Sequence, residues 1–285
     1  MSAESERPST RWRAARRRPI VLTIGGLDPS GGAGVTMDTA AVTAAGAHAC
    51  VLVSALTLQS TAGCLDVEPV AGGVFRAQLA HLVAAQPPAV VKLGALGSGD
   101  VADAVAEWLV GYTGMVVVDP VATASVAGAR PGRPLASEEA REVLRKRILP
   151  RATVLCANGP ELATLSGLPA VDLDSAVLAS RELVARGPRA VYAKAGHWQT
   201  TTADDALIFA DATHVFAAPR LDVADVHGTG CALASLLAGR LALLGAGDDA
   251  ALVEAARWAK GVLFRALETP IVVGHGQRVV RFERG

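Results

Sequence analysis

The chain has 285 residues, of which 51% are apolar and 19% charged, and 27 basic and 27 acidic side chains give zero formal net charge. This balance argues against nucleic acid as the main partner, and the apolar content excludes a disordered chain. The four cysteines form no C-x-x-C pair and no zinc-ligand spacing with histidine, which predicts a reducing, cytoplasmic setting. Because no run of 18 apolar residues occurs, no membrane partner is expected.

The first 18 residues differ in charge from the rest of the chain. They hold six arginines and two glutamates, and the apolar run that follows them stops at Asp28. A secretory signal would need about 7–15 apolar residues there. We therefore predict a basic, disordered tail over residues 1–18 and a single folded domain over residues 19–285, with a polybasic contact to membrane or nucleic acid as the weaker alternative.

Apolar runs alternate with amphipathic stretches from Pro19 to about Leu267. In chain order, strands are expected at Ile20–Ile24, Ala49–Leu58, Ala89–Leu93, Met115–Val118, Thr153–Cys156, Ala190–Lys194, Ala206–Phe209 and His214–Ala217, the last two as a hairpin. Helices are expected at Gly34–Ala45, Val74–Ala85, Val101–Leu109, Ser137–Ile148, Pro160–Leu165, Leu173–Arg186, Gly228–Leu244 and Asp249–Leu267. This order predicts an α/β fold with a mostly parallel central sheet and helices on both faces. A closed barrel of eight β/α units fits the hairpin poorly.

The first glycine-rich motif is G-G-L-D-P-S-G-G-A-G at Gly25–Gly34, between the first predicted strand and the first predicted helix. Glycines let the backbone approach a ligand, and N–H groups at a helix start favour an anion or a polar group. The motif is neither a P-loop nor G-x-G-x-x-G. The alternative is a tight turn capped by Asp28 and Ser30.

The second glycine-rich motif, D-V-H-G-T-G-C at Asp225–Cys231, opens an apolar helix. The N–H groups of Thr229, Gly230 and Cys231 would converge at the helix start as a cradle for an oxyanion or a phosphate. The positive helix end is expected to lower the pKa of the Cys231 thiol and improve it as a base or nucleophile. A glycine-rich turn with a structural cysteine is the alternative.

Further polar residues follow predicted strands, whose carboxyl ends face the ligand crevice in an open α/β sheet. Asn158 and Glu161 in N-G-P-E fit a helix capping box or a water-mediated Mg²⁺ site. Lys194, in K-A-G-H, could pair with phosphates. Asp119 and Gln59 end two other strands and belong to the same edge of the sheet.

These motifs together resemble the hydroxymethylpyrimidine/phosphomethylpyrimidine kinases of thiamin biosynthesis, in the ribokinase superfamily. The resemblance runs from about Val21 to Gly276 and includes A-L-T-L-Q-S-T, V-K-L-G and V-V-D-P-V, at Ala55–Thr61, Val91–Gly94 and Val117–Val121. It implies a single ribokinase-like domain that uses ATP and Mg²⁺. The implied acceptor is 4-amino-5-hydroxymethyl-2-methylpyrimidine or its monophosphate. The family often forms dimers, so a homodimer is compatible with the resemblance.

The resemblance also implies roles for individual residues. The pyrimidine site would be lined by Gly25, Gly26, Asp38, Ala95 and Val121. Gln59 would bond the aminopyrimidine edge, because an amide offers both a donor and an acceptor.

On the phosphate side, Cys231 would deprotonate the attacking hydroxyl above the anion hole formed by Gly228, Thr229 and Gly230, and Thr229 would touch the ATP phosphate. Lys194 would neutralise charge on the transferred group, and Asp119 would support the metal or phosphate region. Asn158 and Glu161 would hold Mg²⁺ through water.

The chain departs from the family pattern at several positions. Ala95 replaces a methionine that packs on the pyrimidine, which predicts a wider pocket, and Ala232 replaces a threonine. Ser125 stands near the place of a lysine, a charge that Lys194 or Arg130 could replace. Two alternatives therefore stay open: a pyridoxal or pyridoxine kinase, and a non-catalytic ligand-binding protein on the same scaffold.

Overall fold

The computed structural model describes residues 17–121, 134–198, 200–223 and 226–282. Nearly all of the predicted tail lies outside these ranges, and so do Ser125, Arg130 and Asp225. No described helix has the length and apolar character needed to cross a bilayer.

Nine strands form one sheet in the order β3–β2–β1–β4–β5–β6–β7–β8–β9. Their bounds are β1 Ile20–Leu27, β2 His48–Ser60, β3 Gly63–Pro69, β4 Val90–Leu93, β5 Met115–Val118, β6 Val154–Asn158, β7 Ala190–Lys194, β8 Asp205–Ile208 and β9 Thr213–Phe216. The six central strands are parallel, and β3, β8 and β9 add antiparallel edges. Two short strands, β10 (Val226–His227) and β11 (Arg278–Val279), pair in parallel beside this sheet.

Eight helices cover the two faces of the sheet in the described ranges. Their bounds are α1 Gly34–Ala44, α2 Gly72–Ala85, α3 Gly99–Gly111, α4 Glu138–Val143, α5 Gly159–Ser166, α6 Leu173–Val184, α7 Thr229–Leu244 and α8 Asp249–Glu268. Side-chain oxygens of Ser98 and Asp248 accept N–H hydrogen bonds at the starts of α3 and α8, as N-cap residues do. Helices α1, α7 and α8 pack on one face, and α2 to α6 pack on the other.

Successive side chains of a strand alternate between these two cores. In β4, Val90 lies in the core under α1, α7 and α8, whereas Val91 lies in the opposite core. The same period of two places Lys92, Asp119 and Lys194 on the side of α1, α7 and α8. Three charged side chains from the ends of β4, β5 and β7 therefore meet on one face of the sheet.

The structure confirms the mostly parallel sheet, the helices on both faces and the β8–β9 hairpin. Strand β3 was not expected, because only Gly63 and Cys64 of it are buried and its sequence lacks a buried alternating face. The helix predicted over Ser137–Ile148 is α-helical only to Val143, and a wider π-helical turn follows it. Pro150 then lies in a short 3₁₀ turn, since proline has no N–H to continue α-helical bonding.

Candidate active site

A cavity of about 530 Å³ opens at the carboxyl ends of the central strands, beside the starts of α1 and α7. The structure brings together on this cavity every site residue predicted from the sequence: Gly25, Gly26, Asp38, Gln59, Ala95, Asp119, Val121, Asn158, Glu161, Lys194, Gly228, Thr229, Gly230 and Cys231. The roles assigned to these residues stay predictions.

A chain of alternating charges forms the floor of the cavity. Lys92 Nζ lies 2.9 Å from Asp38 Oδ1 and 3.8 Å from Asp119 Oδ2. Lys194 Nζ lies 2.9 Å from Asp119 Oδ1 and 3.3 Å from Glu161 Oε2. The floor thus holds two ammonium groups among three carboxylates.

Mutual attraction favours the charged forms of both lysines and of Asp119 despite their burial. Burial opposes the charge of both lysines, yet the neighbouring carboxylates raise the pKa of Lys92 and of Lys194 above the ordinary value. Burial likewise opposes the charge of Asp119, but Lys194 and Lys92 hold its pKa below the ordinary value. Burial raises the pKa of Asp38, against the hydrogen bonds from Lys92 and Ser235.

The start of α7 is shaped for close contact between backbones. Gly228 has a φ of 75°, and a Cβ there would lie 1.8 Å from the carbonyl oxygen of Gly32. Neither α7 nor α1 has a side-chain hydrogen bond at its N-cap, which is Gly228 in α7 and Ala33 in α1. Both helix starts border the cavity, but the Asp28 carboxylate already accepts the Ala33 N–H at the start of α1, so the start of α7 is the one that favours a bound anion.

The expectation of a lowered pKa for Cys231 is wrong for this structure. Burial raises the pKa of the thiol to about 12. Lys92 and the Gly34 N–H act against this shift, whereas Asp119 and Asp38 add to it. Burial is the largest cause of this shift, and the two carboxylates that add to it lie far away in the sequence.

Asn158 and Glu161 form the capping box that was one of their two predicted roles. Glu161 N donates to Asn158 Oδ1 at 2.9 Å, and Asn158 N donates to Glu161 Oε2 at 2.8 Å. Among the described residues, no cluster of three or more His, Cys, Asp or Glu side chains is arranged to hold a metal ion. Asp119 Oδ2 is buried and accepts no hydrogen bond in the described ranges, and the Lys92 ammonium lies 3.8 Å from it. The donor set therefore fits Mg²⁺ held through water rather than a closed protein cage.

Away from the charged floor, the cavity is lined by one apolar cluster and one polar cluster. Ala95 packs in a small cluster with Cys64 and Leu135, so Leu135 supplies a larger apolar side chain beside the alanine. Gln59 contacts His227, which in turn contacts Asp28.

Sequence reasoning missed several residues that line the cavity or hold its walls. Lys92 carried one available signal, because a lysine inside the apolar run of β4 is unusual in a strand buried on both faces. Lys260 pairs with Asp205 at 2.8 Å, and Asp205 accepts the Ala195 N–H at 2.7 Å, which anchors the turn after Lys194. That contact joins α8 to β8 and leaves no local pattern in the sequence.

Comparison with known proteins identifies the family of the chain. The sequence model of the phosphomethylpyrimidine kinase family matches residues 28–281. The chain belongs to this family. It is 34% identical over 261 residues to the hydroxymethylpyrimidine/phosphomethylpyrimidine kinase of Escherichia coli, covering 91% of this chain and 96% of that protein. It is 37% identical over 224 residues to the Salmonella typhimurium protein of the same name, covering 78% and 82%.

Longer relatives and solved structures extend the comparison. The chain is 36% identical over 272 residues to the thiamine biosynthesis multifunctional protein ThiED of Corynebacterium efficiens, covering 93% of this chain but only 36% of that protein. The phosphomethylpyrimidine kinase of Clostridium difficile has a TM-score of 0.73 at 29% identity, with 87% of this chain and 99% of that one covered. A Bacillus subtilis pyridoxal kinase has a TM-score of 0.81 at 23% identity over 94% and 98%, which shows a shared fold.

Proposed function

We propose that this chain transfers the γ-phosphoryl group of ATP to the hydroxymethyl oxygen of 4-amino-5-hydroxymethyl-2-methylpyrimidine, to its monophosphate, or to both in turn. Membership of the phosphomethylpyrimidine kinase family supports a phosphotransferase. The observation that carries the proposal is the convergence of Cys231, the uncapped start of α7 and Lys194 on one cavity. That set can bind a phosphate and place a proton acceptor beside it.

The protein would contribute mainly by positioning the reactants and by electrostatic stabilisation, since phosphoryl transfer needs little covalent catalysis. When bound, ATP would supply the phosphoryl group and Mg²⁺ would neutralise phosphate charge. Asn158 and Glu161 would hold the ion through water, and Asp119 would support the same region. Lys194 and the N–H groups at the start of α7 would stabilise charge on the transferred group.

Cys231 would take the proton of the attacking hydroxyl, but its raised pKa sets a condition on this role. A thiol with a pKa of about 12 is almost wholly protonated at neutral pH. Lys92 is the side chain that most favours the thiolate, so a step through Cys231 depends on that lysine. All four cysteines are free thiols, which supports the proposed reducing, cytoplasmic setting.

The test is ATP consumption with the pyrimidine alcohol, its monophosphate or pyridoxal as the acceptor. We expect turnover with at least one of the two pyrimidines and a lower kcat/KM with pyridoxal. Gln59→Leu should reduce kcat/KM for the pyrimidine, since it removes the amide that would bond the ring. Turnover of pyridoxal alone would reassign the acceptor, and no turnover with any of the three would favour a non-catalytic binding protein.

A further inference from the structure

A buried polar cluster lies at one wall of the cavity. His227 Nε2 is 2.8 Å from Asp28 Oδ2 and 2.9 Å from the amide nitrogen of Gln59. His227 and Asp28 are each 3% exposed or less, and all three residues line the cavity. They come from β10, from the loop after β1 and from β2, so the contact exists only in the folded chain.

The hydrogen bonds around Asp28 decide which partner donates. Its carboxylate accepts N–H groups from Ser30 and Ala33, both at 2.9 Å. Burial opposes its charge, but hydrogen bonds from His227 and Ser30 hold the pKa of Asp28 below the ordinary value. Asp28 is therefore an ionised, acceptor-only group at neutral pH. His227 Nε2 must carry a proton to donate to it.

This assignment constrains the amide of Gln59. A protonated His227 Nε2 cannot accept a hydrogen bond from an amide NH₂ group that lies 2.9 Å away. Amide oxygen and nitrogen have nearly the same shape, and their positions are fixed by the hydrogen bonds around them. The consistent arrangement turns the amide by half a rotation, so that Gln59 Oε1 shares the Nε2 proton with Asp28. The NH₂ group then occupies the other end of the amide, which makes no hydrogen bond to the described residues.

We propose that His227 and Asp28 are positioning residues that hold the Gln59 amide with its NH₂ group toward the acceptor molecule. Gln59 then acts as a single donor, which selects a heterocycle with a ring nitrogen lone pair and does not read its exocyclic amino group. This inference rests on the proposed function. It differs from a two-point contact of the amide with the aminopyrimidine edge, because the amide oxygen is already engaged by the histidine.

The Gln59→Glu variant tests the orientation directly, since a carboxylate keeps the size of the side chain but can only accept. If the NH₂ group faces the pocket, Gln59→Glu raises KM for the pyrimidine alcohol roughly 10- to 100-fold and leaves KM for ATP unchanged. If the amide oxygen faced the pocket instead, Gln59→Glu would still present a hydrogen-bond acceptor to the pyrimidine. A KM for the pyrimidine alcohol within twofold of wild type would therefore overturn the proposal.

A des-amino analogue, 5-hydroxymethyl-2-methylpyrimidine, tests the single-donor contact. Gln59→Leu should raise KM by the same factor for the analogue as for the aminopyrimidine. A clearly smaller factor for the analogue would show that Gln59 reads the amino group, which contradicts the proposal.

Variants of His227 separate positioning from structural support. His227→Leu should raise KM for the pyrimidine alcohol more than it lowers kcat, with a melting temperature measured alongside. His227→Gln offers an amide N–H that can reach Asp28 and Gln59 Oε1, so it should restore KM to within a few-fold of wild type. Equal KM in the wild type and the leucine variant would overturn the positioning role.

A measurement without turnover keeps this inference separate from the proposed function. In ¹⁵N-histidine-labelled wild-type protein, two-bond ¹H–¹⁵N spectra should show the proton of His227 on Nε2, with the signal assigned by its loss in His227→Gln. An unprotonated Nε2 would overturn the inference even if the pyrimidine is phosphorylated. A protonated Nε2 in a protein that phosphorylates no pyrimidine would instead contradict the proposed function and leave the orientation of Gln59 supported.

Discussion

Replacing Lys92 with methionine tests the charged floor of the cavity most directly. The lysine side chain is 1% exposed, and its ammonium group contacts both oxygens of Asp38 at 2.9 and 3.1 Å. Methionine fills a similar volume but leaves Asp38 as a buried carboxylate whose remaining hydrogen-bond donor, among the described residues, is Ser235 at 2.8 Å. Removing one partner of a buried ion pair costs about 3–5 kcal/mol. We expect the free energy of unfolding of Lys92→Met to fall by that amount.

Urea unfolding followed by circular dichroism at pH 8 measures this loss. Lys146→Met is the matched control, because Lys146 is 71% exposed and its pair with Glu142 should be worth about 1 kcal/mol or less. Without Lys92, the pKa of Asp38 rises further, and the folded variant binds a proton that the unfolded chain releases above about pH 4. The destabilisation should therefore be smaller at pH 5 than at pH 8. Equal losses in the two lysine variants would refute a buried ion-pair network.

Three further predictions concern the start of α7. Cys231→Ala should lower kcat at least ~100-fold. The Kd for the pyrimidine, measured by calorimetry, should change only a few-fold. An unchanged kcat would exclude the thiol as a base. If the thiolate is the active form, kcat of the wild type should rise about tenfold per pH unit above pH 7, because the pKa lies near 12, and a flat profile would contradict this. Gly228→Ala should lower the melting temperature and kcat. Gly73→Ala is the control and should lower neither, because its Cβ would meet nothing within 4 Å. Equal melting temperatures of the two variants would refute the close backbone contact at Gly228.

The order of strands and helices could be predicted because its signal is local. The continuous apolar run of β1 and the helical spacing in α8 each lie within one element. Strand β3 was not predicted, since its mostly exposed residues show no alternation of apolar and polar side chains. The two-residue strands β10 and β11 are too short to show a pattern.

The sequence predicted which residues line the candidate site better than it predicted their pKa values and contacts. Glycine-rich turns and strand ends mark Gly228, Asp119 and Lys194, because the position of each in a motif is visible in one sequence. The pKa of Cys231 could not be predicted, since it is set mainly by burial and then by neighbours such as Lys92 and Asp119, which are close only in space. The contact of His227 with Asp28 likewise spans 199 positions of the chain.

The late position of β10 and β11 in the chain determines which parts of the cavity are synthesised last. Val279 would meet a Cβ placed on Gly32 at 2.8 Å, and Thr61 donates to the carbonyl of His275 at 2.8 Å. Early and late parts of the chain thus meet beside the cavity, where Gly32 also packs against His227. A nascent chain that ends near Leu221 already holds the six parallel strands but lacks His227, Cys231 and the whole of α7. Synthesis therefore delivers the sheet and the charged floor of the cavity before the start of α7, so an unfinished chain lacks Cys231 and the uncapped N–H groups of that helix.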